Sequence, residues 1–358
     1  MITANQLRKF TEQIFIAIGC SEADARLATD VLVSADLRGV DSHGVARLPG
    51  YVRLYDVGRL NPQPHIRVVH ETPSTAVVDG DRGLGLVVGP WAMQVAIDKA
   101  RTAGTGWVAV RNSNHFGIAG YHALLAADHD MIGQAMTHAA PLVAPTFALE
   151  KMLGTNPIAV AIPAATEPTF LADFASTAVA YGKLEILQRK GQDIPLGWAQ
   201  DASGQPTTDA NAIRNGGALL PLGTDREHGS HKGYGLGAVV DIFSGVLSGA
   251  NYGPWVPPFA TAGFMQANEG VGEGTGHFFG AMRIDAFRPA SEFKIHMDTW
   301  IQRFRQAQAV EGKRVLIPGD PEREMEAERL SNGIPLLDPV IQSLTELGDR
   351  FGVFFSPA

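Results

Sequence analysis

The 358-residue chain has a single cysteine, Cys20, so no intramolecular disulfide can form, and a lone thiol beside Gly19 suits a reducing compartment. No apolar run approaches the ~20 residues needed to cross a membrane, and no basic-then-apolar leader opens the chain. Charged residues are scarce at 18%, the net charge is −8, and Lys and Arg cluster nowhere, which argues against nucleic acid as a partner. There is no HExxH and no Cys cluster. The eleven histidines, His228 and His231 included, therefore give no metal signature, and no metal is expected. These absences predict a cytoplasmic, globular protein.

A complete dinucleotide fingerprint is missing too. Gly83-Leu84-Gly85 with Gly89 precedes a helix but is one residue too long, and no acidic residue ends a second strand ~20 residues on. Gly233, Gly235 and Gly237 lie inside a helical pattern, where small residues permit close packing. Gly272, Gly274 and Gly276 occupy a loop before a strand. A dinucleotide, if bound, is bound by a fold other than Rossmann.

What is present reads as helices, then a mixed α and β block, then helices. Thr3 with Gln6 forms a capping-box pattern, and Leu7, Phe10, Ile14, Phe15 and Ile18 follow at helical spacing. A second helix runs from Ser21 to Gly39, and a third is predicted from Asp41 to about Val57, kinked at Pro49. Strands are expected at 66–69, 75–78, 107–110, 131–136, 158–162, 169–173 and 278–284. Helices are expected from Pro90 to Gly104, at 119–128, at 176–189 and at 233–247. The last of these should turn Leu236, Val239, Val240, Phe243 and Val246 inward. Beyond Ser291 the chain is helical again, with Asp338-Pro339 opening the last helix. Length and order predict two lobes: residues 1–61 with 291–358 as a discontinuous helical lobe, and 62–290 as a mixed α/β lobe.

Three polar clusters could carry chemistry. In Asp41-Ser42-His43-Gly44-Val45-Ala46-Arg47, followed by Tyr51, residues 43, 47 and 51 share one face if helical. An imidazole that exchanges protons near neutral pH, beside a guanidinium that grips a carboxylate, suits a hydroxy-acid oxidoreductase. Ordinary surface residues would give the same spacing. Ser113-Asn114-His115-Phe116-Gly117 leaves a strand for a helix, a place where loops commonly carry function; it also reads as a capped turn. Thr155-Asn156, Asp173, Ser176-Thr177 and Lys232-Gly233 offer hydroxyls, a carboxylate, helix N–H groups and a mobile charge for a phosphate, or plain helix caps.

Taken in order, the stretch 36–51, residues 113–117, Gly154-Thr155-Asn156-Pro157, Gly197-Trp198-Ala199 with 206–209, and 231–236 resemble the malate/L-lactate dehydrogenase type 2 family. Its members also include sulfolactate and ureidoglycolate dehydrogenases and piperideine-2-carboxylate reductases. The resemblance implies a non-Rossmann α/β fold with a largely antiparallel mixed sheet, a discontinuous helical lobe and a homodimer. It implies hydride transfer between NAD, or NADP, and a small 2-oxo or 2-hydroxy acid such as malate or lactate. A cyclic-imine reductase and a non-catalytic nucleotide-binding relative are the alternatives. By the same resemblance His43 and His115 take acid–base roles, and Arg47 and Tyr51 contact the substrate carboxylate. The cofactor contacts it implies are Thr155, Asn156, Asp173, Ser176, Thr177, Lys232 and Gly233, with Gly319 and Asp320 in a 318–321 loop. One departure stands out: where many members carry Thr-Asn-Ser, this chain has Thr137-His138-Ala139.

Overall fold

The computed structural model describes residues 1–259 and 270–356. Helices α1 (Ala4–Ala17) and α2 (Glu22–Leu37) come first, and Thr3 and Gln6 close the predicted capping box. A 3₁₀ turn, Val45–Arg47, leads into α3 (Leu48–Asp56). Then follow β1 (Arg67–Glu71), β2 (Thr75–Asp79), α4 (Gly85–Ala103), β3 (Thr105–Ser113), α5 (Ala119–Ala127), β4 (Met131–Thr137), β5 (Ile158–Ile162) and β6 (Phe170–Phe174). After α6 (Tyr181–Arg189) come the short strands β7 (Ala199–Gln200), β8 (Pro206–Thr207) and β9 (Ala218–Leu219). Next are α7 (Ser230–Asp241), a π-helical turn over Ile242–Val246, and β10 (Thr275–Arg283). The chain ends in α8 (Ala290–Arg305), α9 (Asp320–Asn332) and α10 (Asp338–Phe351).

Seven strands form one sheet in the order β1-β2-β3-β10-β4-β5-β6. Only β2 and β3 run parallel; every other neighbouring pair is antiparallel, so the expected mixed, non-Rossmann sheet is present. One face packs on α4 and α5 through Val88, Met93, Ile97, Ala123 and Phe279. The other packs on Val240 of α7 through Ala109, Met136, Ile158 and Phe278. A separate core joins α1, α2 and α3 to α10, with Phe10 against Phe355. β7–β9 form a small second sheet beside α6.

Several expectations need correcting. Pro90 lies inside α4, which starts five residues earlier at Gly85. The helix expected from Ser176 begins at Tyr181. Residues 318–321 are not merely a loop: Gly319, at φ +95°, caps α9, and Asp320 opens it. Of the five residues expected to turn inward on α7 and its π turn, only Val240 is buried; Leu236, Val239 and Val246 are exposed, and Phe243, though largely exposed, touches Phe278 of the sheet at 5.0 Å. A regular period marks an apolar face without saying what that face meets.

Candidate active site

The His43 turn is shaped from beneath. Buried Asp36, in the last turn of α2, accepts the Val45 N–H at 2.8 Å. A Cβ on Gly44 would fall 1.9 Å from Asp36 Oδ1, so glycine is required there. Arg329 of α9 braces the same corner through the Asp36 carbonyl and the Asp41 carboxylate. Burial, opposed by the Val45 bond, pushes the Asp36 carboxyl up to about 8. The single helix expected from Asp41 is therefore a turn, a 3₁₀ segment and then α3. Pro49, tolerated in a first helical turn, helps start α3 rather than kinking it.

His115 arrives from the opposite side, on the loop leaving β3. Asn114 pins that loop by donating to the carbonyls of Arg82 and Gly83 at 2.9 and 3.0 Å. A Cβ on Gly85 would lie 2.1 Å from the Asn114 carbonyl. The Gly83, Gly85, Gly89 run thus serves packing, as read from the sequence, and Gly233 is packed likewise against the Leu222 carbonyl, 2.2 Å from a built Cβ.

The rings of His43 and His115 stack at 5.6 Å. Tyr51 Oη lies 2.7 Å from His115 Nδ1, and the Gly117 N–H approaches the same nitrogen at 3.3 Å. A backbone N–H only donates, so Nδ1 is the acceptor and the neutral ring carries its proton on Nε2. Burial, then Arg47, takes His43 down to about 3. Burial, then His43 and Arg47, takes His115 well below its ordinary 6.5. Both rings are neutral at pH 7.

These groups border a cavity of about 730 Å³ lined by His43, Arg47, His115, Thr137, His138 and Thr155. Arg47 is steered by the Ser42 carbonyl, 2.6 Å from Nε, and by Glu185 of α6 at 3.7 Å. Tyr51 is fully buried; its hydroxyl faces His115, and the residue is not part of the cavity wall. Phe259 covers His115 and Tyr51 at 4.6 and 5.0 Å. Residues 260–269, which follow Phe259, lie outside the described residues. Asp36 and Phe259 were not anticipated; the adjacent Gly44 was the only local signal for the first.

The remaining predicted residues divide by what their atoms already do. Asn156 is buried, accepting from the Ala139 N–H and donating to the Gly237 carbonyl, each at 3.0 Å. Ser176 donates to the Thr155 carbonyl and Thr177 to that of Val179. The Ser176 N–H is also taken, by the Thr155 carbonyl, and because α6 begins at Tyr181, residues 176 and 177 do not form the helix start expected here. Asp173 on β6 accepts the Gly120 N–H at 2.7 Å. Asp320 is engaged by Arg305, Arg323 and the Ile317 N–H. Lys232, near the start of α7, is exposed and has no ion-pair partner among the described residues. His138 is buried, and its Nε2 accepts the Gly276 N–H at 2.7 Å. His228 pairs with Asp225, His231 bonds Arg226, and no group of side chains suited to a metal occurs among the described residues.

Comparison with known proteins gives a consistent picture. A model of the malate/L-lactate dehydrogenase family matches residues 2–345. Malate dehydrogenase of Pyrococcus horikoshii is 45% identical over 354 residues, covering 98% of this chain and 96% of the relative. L-sulfolactate dehydrogenase of Methanocaldococcus jannaschii is 39% identical, covering 97% and 96%. The solved structure of malate dehydrogenase from Pyrococcus horikoshii OT3 superposes with a TM-score of 0.89 at 42% identity, covering 99% of this chain and 96% of that one.

Proposed function

This chain belongs to the malate/L-lactate dehydrogenase family and is a 2-hydroxy acid dehydrogenase using a nicotinamide cofactor, and from that premise we propose how its residues divide the work. Arg47 holds the carboxylate next to the reacting carbon, a bidentate match for guanidinium. His115, neutral, holds its Nε2–H on the substrate oxygen as a hydrogen-bond donor and keeps that proton, since losing it would leave an imidazolate. The proton itself is exchanged by His43: its imidazolium gives it to the forming alkoxide as a 2-oxo acid is reduced, and its neutral ring takes it back in the reverse direction. Tyr51 does not contact the carboxylate in this scheme; it fixes the His115 tautomer. The stacking of His43 on His115, at 5.6 Å, brings it to the same oxygen. The observation that carries the assignment is the pair of donors on His115 Nδ1, which leaves Nε2 protonated in a neutral ring.

The donor set suits the cofactor: a cavity running from the histidines past Thr137 to Thr155, and an exposed ammonium at Lys232 with no ion-pair partner among the described residues. When bound, the nicotinamide supplies or accepts the hydride. Thr155, Lys232 and the backbone at Gly233 would hold it directly. Asn156, Ser176 and Thr177 would set the positions of those loops, because their side chains are already engaged. Asp173 would meet a ribose hydroxyl at the outer end, where Gly319 and Asp320 offer backbone only. A carboxylate there disfavours a further phosphate, which supports NAD over NADP.

The proposal extends to a cytoplasmic homodimer whose protomers divide into lobes 1–61 with 291–358, and 62–290. The exposed row Leu236, Val239, Ile242, Phe243, Val246 and Leu247 supports the pairing, and light scattering on purified protein tests it. No helix among the described residues is long and apolar enough to cross a membrane.

The test is the absorbance of NADH and of NADPH with a panel of 2-oxo acids, for the wild type and for His115→Ala and His43→Ala. Turnover lost by at least ~100-fold in His43→Ala agrees with a positioned proton carrier, and a comparable loss in His115→Ala agrees with a hydrogen-bond donor to the reacting oxygen. Near-normal turnover in both variants would end the scheme.

A further inference from the structure

The cavity holding the two histidines contains three guanidiniums, Arg47, Arg59 and Arg82, and among the described residues no Asp or Glu lines it, although the chain carries a net charge of −8. Arg47 has Glu185 behind it at 3.7 Å. The other two have no ion pair among the described residues. Arg59, half-buried just beyond α3, donates from Nη1 to the Pro258 carbonyl at 2.8 Å. Arg82, in a left-handed backbone conformation at φ +58°, reaches the Gly58 carbonyl at 3.4 Å. Gly58 immediately precedes Arg59, so the two cations are anchored at one corner by carbonyl dipoles, and among the described residues most of their five N–H donors each are uncommitted.

Like charges gathered without a counter-charge repel one another, and burial holds Arg59 below its ordinary pKa with nothing opposing it. An arriving anion relieves both penalties. Arg47 precedes the nine-residue α3 and Arg59 follows it, so the cavity is cationic at both ends of that helix.

We propose that Arg59 and Arg82 form a second anion subsite for the far end of the substrate, which makes the preferred substrate a 2-oxo or 2-hydroxy acid bearing a second carboxylate or sulfonate. The inference rests on the reading that Arg47 takes the first carboxylate. It assigns specificity, not chemistry, to Arg59 and Arg82: each would contribute charge-assisted hydrogen bonds to a group remote from the reacting carbon.

The experiment compares oxaloacetate, with two acid groups, and pyruvate, with one, in wild type, Arg59→Gln and Arg82→Gln. The kcat/KM ratio of oxaloacetate to pyruvate should fall on the order of 10- to 100-fold in each variant, mostly through KM for oxaloacetate. Equal losses on both substrates would overturn the subsite and leave Arg59 as a clamp on the Pro258 loop. Calorimetry with succinate and butyrate, which cannot react, separates this from the parent reading. If no 2-oxo acid turns over, the dehydrogenase scheme fails, while succinate binding that disappears in both variants still supports the subsite. Succinate binding no tighter than butyrate binding in wild type would overturn it. Arg82 is exposed and its bond is long, so Arg82→Gln keeps the test valid should Arg59→Gln misfold.

Discussion

The phenol oxygen of Tyr51 and Nδ1 of His115 sit 2.7 Å apart although 64 positions separate the residues in sequence. α3 brings the phenol from the helical core, and the loop after β3 brings the imidazole from the sheet. Their contact, backed by the Gly117 N–H, holds the histidine proton on the nitrogen that can face substrate.

Replacing Tyr51 by Phe keeps the ring packed against Phe15 and Phe259 and removes only the hydroxyl. The expected result is a kcat lower by about 10- to 100-fold, a KM for the 2-oxo acid within about threefold of wild type, and little change in Tm. A rise in KM at constant kcat would instead make Tyr51 the carboxylate contact that the resemblance implied.

The depressed histidines set the pH dependence of the oxidation direction. Oxidising a hydroxy acid needs a neutral imidazole as base. His43 charges only near pH 3, and His115 charges well below 6.5. Protonation as pH falls should therefore leave kcat/KM for hydroxy-acid oxidation flat from pH 8 to below 6, with its acid limb displaced beneath the ordinary histidine value. A limb centred at 6.5 in initial-rate profiles would mean that neither buried ring is the base.

Much of this molecule was legible in its sequence, and the failures share a cause. Strand β5 was placed to the residue, and β4, β6 and β10 within a few, because apolar runs in a sheet covered on both faces need little context. Helix α9 was missed because Asp320-Pro321 resembles a turn and the helix is nearly all polar, burying Arg329 and Asp320 rather than an apolar stripe. The outward face of α7 was assigned inward because periodicity alone cannot say what an apolar face meets. His43, Arg47 and His115 were found as local clusters. The link from Tyr51 to His115, Asp36 beneath the turn, and Phe259 over it depend on contacts between distant segments, which leave no local pattern.

Gly44 tests the turn directly. A methyl group there would meet Asp36 Oδ1 at 1.9 Å, whereas one on Gly235 of α7 meets nothing within 4 Å. Gly44→Ala should lower Tm and cut kcat/KM at least tenfold, because the displaced turn carries His43 and Arg47. Gly235→Ala should hold or raise stability by up to about 1 kcal/mol, the usual gain of alanine over glycine inside a helix. Equal thermal and kinetic behaviour of the two variants would count against Asp36 as the clamp beneath this turn.

The clamp also has a pH signature. Asp36 is held protonated to about pH 8 in the folded chain, against 3.8 for a free carboxyl. A raised acid stabilises the fold fully below the unfolded value and loses that contribution as pH climbs through the folded one, so wild type is weakened between about pH 4 and 8. The neighbouring charges that bear on this group are Asp41, which raises it, and Arg329, which lowers it. Asp36→Asn mimics the neutral acid, keeps an acceptor for the Val45 N–H and removes the titration. The Tm of Asp36→Asn minus that of wild type should therefore become more positive from pH 5 to pH 8, while all other titrating groups cancel between the two proteins. A difference that stays constant across that window would show that Asp36 is ionised in the folded protein and braces the turn as a carboxylate.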